Sequence, residues 1–154
     1  MARYTSVKAF AKRVEDEQPP VDIVIENARK ATMMYEMAEQ DESTVTVNVT
    51  STFLLAALLL PKLRRVSDES SIRPTLTIVT YEVHVWGSFR ESQAPDWKIF
   101  DKLNDEGSWK RSPERYWDSK LLEVLVIQAI AERYDRGIAS PVTINFVNPG
   151  LCHS

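Results

Sequence analysis

Apolar and polar residues alternate along this chain in blocks whose spacing predicts helices and strands in turn. Apolar residues at every third or fourth position predict a first helix over residues 5–14, and Pro19-Pro20 ends it. The next block, residues 21–28 (VDIVIENA), is short, apolar and rich in β-branched residues. This composition predicts a buried parallel strand.

A long helix is predicted over residues 42–65, after a polar segment. Residues 43–52 are rich in Thr and Val and also have strand propensity. The apolar run 53–60 continues them without a turn signal, which favours helix throughout, with Pro61 kinking or trimming its end. A polar loop at 67–73 and a second strand at 75–83 (TLTIVTYEV) follow.

The last part of the pattern combines a long irregular stretch with one more helix and strand. Residues 86–115 contain Pro95, Pro113 and many charges, which is typical of a functional or mobile loop. Residues 116–134 form a helix that is apolar around nearly its whole circumference. Such a helix is buried on more than one side, which indicates a subunit contact as well as the core. A third strand at 142–147 ends at Asn148-Pro149-Gly150.

The order helix, strand, helix, strand, helix, strand predicts an α/β fold with about three parallel strands. Right-handed crossovers in one direction place all the helices mainly on one face of such a sheet. The other face is then expected to be bare and apolar, with an open edge. Because monomers rarely expose a large apolar surface, a partner, a second copy or a rearrangement is expected to cover it.

The composition of the chain argues against several classes of protein. The chain has 154 residues, 44% hydrophobic and 27% charged, which fits one globular domain. A net charge of −3 gives no indication of nucleic-acid or membrane-surface binding. The longest apolar run is too short to cross a bilayer, no signal peptide is evident, and the single cysteine, Cys152, fits a reducing compartment. We therefore expect a cytoplasmic protein without a membrane or nucleic-acid partner.

Candidate acid–base chemistry lies at the start of the last helix. Tyr116 and Lys120 are four residues apart and share one helix face. There an ammonium can lower the pKa of a phenol, so that the phenol acts as a general acid or base near neutral pH. The alternative is structural: an amphipathic tyrosine above a lysine that reaches solvent along the helix.

Five segments together resemble the short-chain dehydrogenase/reductase family, in its fungal secondary-metabolism branch. Their order along the chain matches that of the family, and they span the middle and later part of its fold. They are Ile25-Glu26-Asn27-Ala28, Val47-Asn48-Val49, Thr80-Tyr81, Tyr116 with Lys120, and Asn148 to Ser154.

The resemblance implies a partial Rossmann-like three-layer fold and an NADP- or NAD-dependent ketone/alcohol oxidoreductase. The proton donor would be Tyr116, with Lys120 lowering its pKa, Tyr81 at the position of the serine that binds the substrate carbonyl, and Asn48 holding a relay water. The cofactor would contact Asn27, Lys120, Pro149, Gly150 and Ser154. The substrate would be a small molecule, with a polyketide-like compound as one candidate.

Three departures from the family pattern limit that expectation. Tyr81 replaces a small serine, and Thr80 beside it would point to the opposite face of a strand. Arg29 replaces a glycine that allows close cofactor approach. The family's first half, with its Gly-rich turn for the diphosphate, has no counterpart, so residues 1–154 are interpreted as one truncated domain. Redox activity and dinucleotide binding by this chain are therefore expected to be weak or absent.

Two alternatives stay open at this point. One is a redox-free isomerase, dehydratase or cyclase that uses Tyr116 and Lys120. The other is a non-catalytic partner that forms a homodimer or heterodimer through the two long helices, as the resemblance implies. A metal site at His84 and His153 and a reactive Cys152 are disfavoured, since neither has the neighbours it needs. The four tryptophans around the 86–115 stretch either line an apolar substrate pocket or pack the loop.

Overall fold

The computed structural model of the chain describes residues 1–17, 19–109, 114–134 and 141–150. Its helices and strands follow the predicted order with shifted ends. They are α1 (Tyr4–Glu17), β1 (Ile23–Glu26), β2 (Met37–Ala38), β3 (Asp41–Glu42), α2 (Ser43–Val45), a π-helix (Thr46–Ser51), α3 (Thr52–Glu69), β4 (Thr75–Val79), α4 (Ile99–Leu103), α5 (Glu114–Tyr134) and β5 (Thr143–Val147).

Three parallel strands form the main sheet, in the order β1-β4-β5. Val24 lies opposite Leu76, and Leu76 lies opposite Ile144. The predicted α/β architecture with three parallel strands is confirmed. The strands are shorter than predicted, because β1 ends before residues 27–28 and β4 ends before residues 80–83.

The helices pack on one face of this sheet. Leu76 on β4 is 1% exposed and contacts a buried cluster with Ala56 and Leu63 of α3 and Val142. The opposite face is open: Ile23 and Ile25 of β1 are more than 60% exposed. The open face is nevertheless less apolar than predicted, because Ile25 is in register with Thr77, and Thr77 with Asn145.

The long central helix forms as predicted, in three contiguous segments. The Thr/Val-rich stretch with strand propensity becomes α2 and the π-helix, whose i→i+5 turn is wider than an α-turn. Pro61 lies inside α3 and does not end it, so the helix continues to Glu69, into the predicted loop. The Glu42 carboxylate starts the helix by accepting hydrogen bonds from the N–H groups of Thr44 and Val45.

This 27-residue helix, Ser43–Glu69, is long and apolar enough by length and composition to cross a membrane, with a mean hydropathy of 1.7 in its most apolar window. However, 67% of that window is buried inside the domain. The core helix of a soluble protein passes the same test, so the observation is weak evidence for a membrane span. The prediction had considered only the apolar run 53–60.

Two regions contain structure that the hydrophobic pattern did not indicate. The polar segment before α2 holds a short antiparallel hairpin, β2 with β3. The stretch after β4 holds three 3₁₀ turns (Glu82–Trp86, Arg90–Gln93 and Asp96–Lys98) and the short helix α4. On the outer faces of α3 and α5, Leu58 and Leu125 are about two-fifths exposed, and the subunit contact stays a prediction.

Candidate active site

Asn48 lies at the centre of the π-helix and ties three parts of the fold together. Its side chain is fully buried. The Oδ1 atom accepts a hydrogen bond from the backbone N–H of Lys30 at 2.7 Å, and Nδ2 donates to the Lys30 carbonyl and to Ser119 Oγ, both at 2.9 Å. The amide thus joins the chain after β1 to the first turns of α5, and π-helical segments frequently occur at functional sites.

Asn48→Ala is expected to destabilise the domain by about 2–4 kcal/mol, because it leaves the partly buried Lys30 N–H and carbonyl and the buried Ser119 hydroxyl without their partner. Denaturant unfolding measures the loss. Asn145→Ala, at an exposed position on β5, is the matched control and is expected to change stability by about 0.5 kcal/mol or less. Equal effects of the two variants would contradict a structural role for the Asn48 amide.

Tyr116 lies in the first turn of α5 and is partly buried. Burial is the main reason that the pKa of its phenol is raised above the ordinary value. Arg29 lowers that pKa, whereas Glu123 and Tyr81 raise it. Arg29 is therefore a cation that acts on the phenol, a role that differs from the predicted obstruction of a cofactor.

Lys120 lies one turn below Tyr116 and is 1% exposed. Its Nζ atom is 5.7 Å from the centroid of the Tyr116 ring, 2.7 Å from Glu123 Oε1 and 3.2 Å from the carbonyl oxygen of Val79. The structure thus brings together the predicted tyrosine–lysine pair. The phenol pKa is raised and not lowered in this arrangement, mainly because the side chain is buried, and the Glu123 carboxylate adds to the rise.

Two buried carboxyl groups at this site were missed by the sequence analysis. Glu123 is 1% exposed and Glu26, the last residue of β1, is 7% exposed. Both residues left a signal in the sequence. Glu26 interrupts an apolar strand, at the position of the first asparagine in the family's Asn-Asn-Ala-Gly segment, and Glu123 follows Lys120 at the i+3 spacing of a helical ion pair.

Tyr81 and Thr80 follow β4 and take different environments, as expected for neighbours in an extended chain. Thr80 is 3% exposed and lies close enough to Glu123 to lower the pKa of its carboxyl group. Tyr81 is partly exposed and lies close enough to Tyr116 to influence its pKa. Tyr81, Tyr116, Lys120 and Asn48 therefore all belong to one region, where β4 ends and α5 begins.

The chain after Tyr81 is held against α5 by a close approach. A side chain at Gly87 would meet the backbone oxygen of Trp117 at 3.1 Å, and the Asp118 carboxylate accepts a hydrogen bond from the Phe89 N–H at 2.8 Å.

The tryptophans do not form one cluster. Trp86 packs edge-to-face on Trp117 at 5.5 Å, whereas Trp109 packs on Tyr35 and Trp97 is 76% exposed.

Of the five residues predicted to contact a dinucleotide, all but Ser154 lie within the described part of the chain. Pro149 and Gly150 follow β5, and Gly150 has a φ of +74°, a conformation that favours glycine. Asn27 is exposed at the end of β1. Ser154, with Cys152 and His153, lies outside the described residues. Among the described residues, no group of three or more His, Cys, Asp or Glu side chains could hold a metal ion.

The chain offers groups for the nicotinamide side of a dinucleotide and not for its diphosphate. Within the described residues, the ammonium of Lys120 donates to Glu123 and to the Val79 carbonyl, at the position that the family resemblance assigns to the nicotinamide ribose. By contrast, the four glycines at 87, 107, 137 and 150 are too far apart to form a turn that cradles a diphosphate. The residues present therefore fit the cofactor only in part.

Comparison with curated proteins shows similarity along the whole chain. The short chain dehydrogenase/reductase dmxR8 of Cryptosporiopsis sp. (strain 8999) is 49% identical over 100% of this chain and 48% of its own length. The short chain dehydrogenase atnD of Emericella nidulans is 39% identical over 96% of this chain and 46% of its own length. The short-chain dehydrogenase anuD of Penicillium roqueforti is 40% identical over 100% of this chain and 40% of its own length. No protein-family model matches the chain.

A solved structure supports the same fold. A short chain dehydrogenase from Escherichia coli CFT073, crystallised with NADPH, superposes on 95% of this chain and 50% of its own length, with a TM-score of 0.57 and 23% identity. The chain spans about half the length of that structure and of the curated relatives. By sequence and by its Rossmann-type fold, this protein belongs to the short-chain dehydrogenase/reductase family.

Proposed function

We propose that this chain carries the proton-transfer half of an NADP- or NAD-dependent ketone reductase of a fungal secondary-metabolite pathway. One observation carries the proposal: Tyr116, Lys120 and Asn48, from two different helices, converge at the end of β4 beside Tyr81. The similarity of the chain to fungal short chain dehydrogenases supports the reaction class. The substrate would be a small molecule of polyketide type, bound between Tyr81 and the Trp86–Trp117 pair.

The state of Tyr116 favours reduction over oxidation. Burial raises the pKa of its phenol, so the hydroxyl keeps its proton at neutral pH. A protonated phenol donates a hydrogen bond to a substrate carbonyl and then transfers its proton to the alkoxide that forms. A bound dinucleotide would supply the hydride. The oxidation of an alcohol requires the phenolate, which this environment disfavours.

The binding of the dinucleotide by this chain on its own is proposed to be weak. Lys120, Pro149 and Gly150 would contact the nicotinamide side. A tightly bound diphosphate needs several backbone N–H groups at a glycine-rich turn, and the glycine spacing in these 154 residues excludes such a turn.

The test combines cofactor titration with a tyrosine substitution. We expect slow, NADPH-dependent reduction of aryl ketones by the chain at millimolar NADPH, and Tyr116→Phe is expected to lower the rate by about 10²- to 10⁴-fold. Tyr4→Phe on α1 is the matched control and should leave the rate unchanged. If millimolar NADPH neither protects the chain from thermal unfolding nor is oxidised, the chain is not a reductase in this form.

A second candidate function follows from the completeness of the proton-handling residues. Tyr116, Lys120 and Asn48 are assembled by this chain, and none of their contacts depends on a dinucleotide. A redox-free isomerisation, dehydration or cyclisation would need only these residues. Turnover without NADPH that is lost in Tyr116→Phe distinguishes this candidate from the reductase.

A further inference from the structure

Three ionisable side chains meet in the core between β1, β4 and α5, namely Glu26, Lys120 and Glu123. Each is more than nine-tenths buried. Glu123 pairs with Lys120, and the charge of Glu123 also acts on Glu26, so Glu123 links the other two side chains. If all three were charged, the group would carry a net charge of −1 in the interior, an arrangement that costs several kcal/mol.

The hydrogen bonds of these groups are unevenly distributed. The ammonium of Lys120 donates to Glu123 Oε1 at 2.7 Å and to the carbonyl of Val79 at 3.2 Å. Within the described part of the chain, Glu123 Oε2 and both carboxyl oxygens of Glu26 have no hydrogen-bond partner of good geometry. Glu26 is thus the carboxyl group that the arrangement satisfies least, and an ionised Glu26 would be more costly than an ionised Glu123.

The pKa shifts of the two carboxyl groups agree with this ranking. Burial and then the charge of Glu123 raise the pKa of Glu26 to about 8. Burial also raises the pKa of Glu123, to about 7, although Lys120 lowers it. The other titratable groups facing the site are Tyr116 on α5, Tyr81 after β4 and Arg29 after β1, and the last two act on the Tyr116 phenol.

We propose that Glu26 and Glu123 are positioning residues for Lys120: together they retain one proton near neutral pH, Glu123 holds the ammonium beneath Tyr116, and the three side chains form a neutral unit. This inference rests on the proposed function in one respect, the acid–base role of Tyr116. Burial is the main reason that the phenol stays protonated, and the negative charge of Glu123 adds to that effect. Neither carboxyl group touches substrate in this arrangement.

The direct test is a carbon-13 NMR titration of the glutamate carboxyl groups, assigned with Glu26→Gln and Glu123→Gln. We expect two carboxyl groups that titrate above the ordinary range for glutamate. Glu123→Gln should lower the midpoint of Glu26 by about one pH unit, since the like charge that raises the Glu26 pKa is removed. Glu132→Gln, on the exposed face of α5, should shift neither midpoint. Two midpoints near the ordinary value of about 4.3, or a Glu26 midpoint unchanged in Glu123→Gln, would overturn the proposal.

A pH–rate profile tests the link to Tyr116. In Glu123→Gln the unopposed ammonium should move the alkaline limb of turnover to lower pH by about one unit, and Glu123→Asp should restore part of the shift. If Glu123 had only a structural role, Glu123→Gln would change the stability and leave the alkaline midpoint of turnover in place. That outcome would refute a positioning role for Glu123. Should Glu123→Gln fail to fold, the wild-type titration and Glu26→Gln still decide. If the NMR shifts appear and turnover is absent, the proposed function fails and the charge unit stands.

Discussion

Lys120→Met is expected to destabilise the protein by about 3–5 kcal/mol near pH 8, because it leaves the buried Glu123 carboxylate without its counter-charge. Methionine keeps most of the side-chain volume, so the packing term is small. The loss should shrink toward pH 5, where Glu123, whose pKa is about 7, takes up a proton and no longer needs a cation. Denaturant unfolding at the two pH values measures both effects.

Lys12→Met provides the matched control for this variant. Lys12 also pairs with a carboxylate on its own helix, Asp16, but its side chain is 76% exposed. Exposed pairs of this kind contribute about 0.5 kcal/mol or less. A cost of Lys120→Met that is the same at both pH values would show that the lysine acts through packing alone and would contradict the ion-pair account.

The second large effect is a gain in stability. Glu26→Gln is expected to stabilise the protein by about 3 kcal/mol near pH 7 and by up to about 5 kcal/mol above pH 8. The pKa of Glu26 is raised from 4.5 to about 8 in the folded protein. Between these values the folded state holds a proton that the unfolded state has lost. Wild-type stability therefore falls as pH rises through this window, and the glutamine removes that slope.

Thermal or denaturant unfolding between about pH 4 and pH 9 checks this expectation. Below the lower value the two proteins should be equally stable, because both carry a neutral side chain at position 26. Glu132→Gln on the exposed face of α5 is expected to stay within about 0.5 kcal/mol of wild type at every pH. Parallel curves for wild type and Glu26→Gln would show that the Glu26 carboxyl is solvated.

The two variants test opposite members of one buried charge group. Removing the cation is expected to weaken the fold at high pH, and removing the less satisfied carboxyl group is expected to strengthen it. The double variant Lys120→Met/Glu26→Gln should therefore be non-additive, since residues in one ionic network couple by about 0.5–3 kcal/mol. Additivity within error would place Glu26 and Lys120 in separate environments.

The sequence by itself determined the order of the elements and the face of α5 that holds Tyr116 and Lys120. Hydrophobic runs of β-branched residues are a strong signal for buried strands, so all three strands of the sheet were predicted at nearly their observed positions. Helical spacing placed Tyr116 above Lys120 without knowledge of any tertiary contact. Element ends were less well predicted, because a strand passes gradually into the following chain: β4 ends at Val79, yet the Thr80 N–H still donates to the Val147 carbonyl.

Only the tertiary structure decided what surrounds Lys120. The i+3 spacing of Glu123 was visible, but an exposed and a buried pair look the same in sequence, and burial alone turns such a pair into a strong constraint. Glu26 and Glu123 are neighbours although 97 residues separate them in sequence, and Asn48 contacts Ser119 across a separation of 71 residues. Such pairs become neighbours only when parallel strands and their crossover helices pack on one face of the sheet, so local patterns carry no record of them.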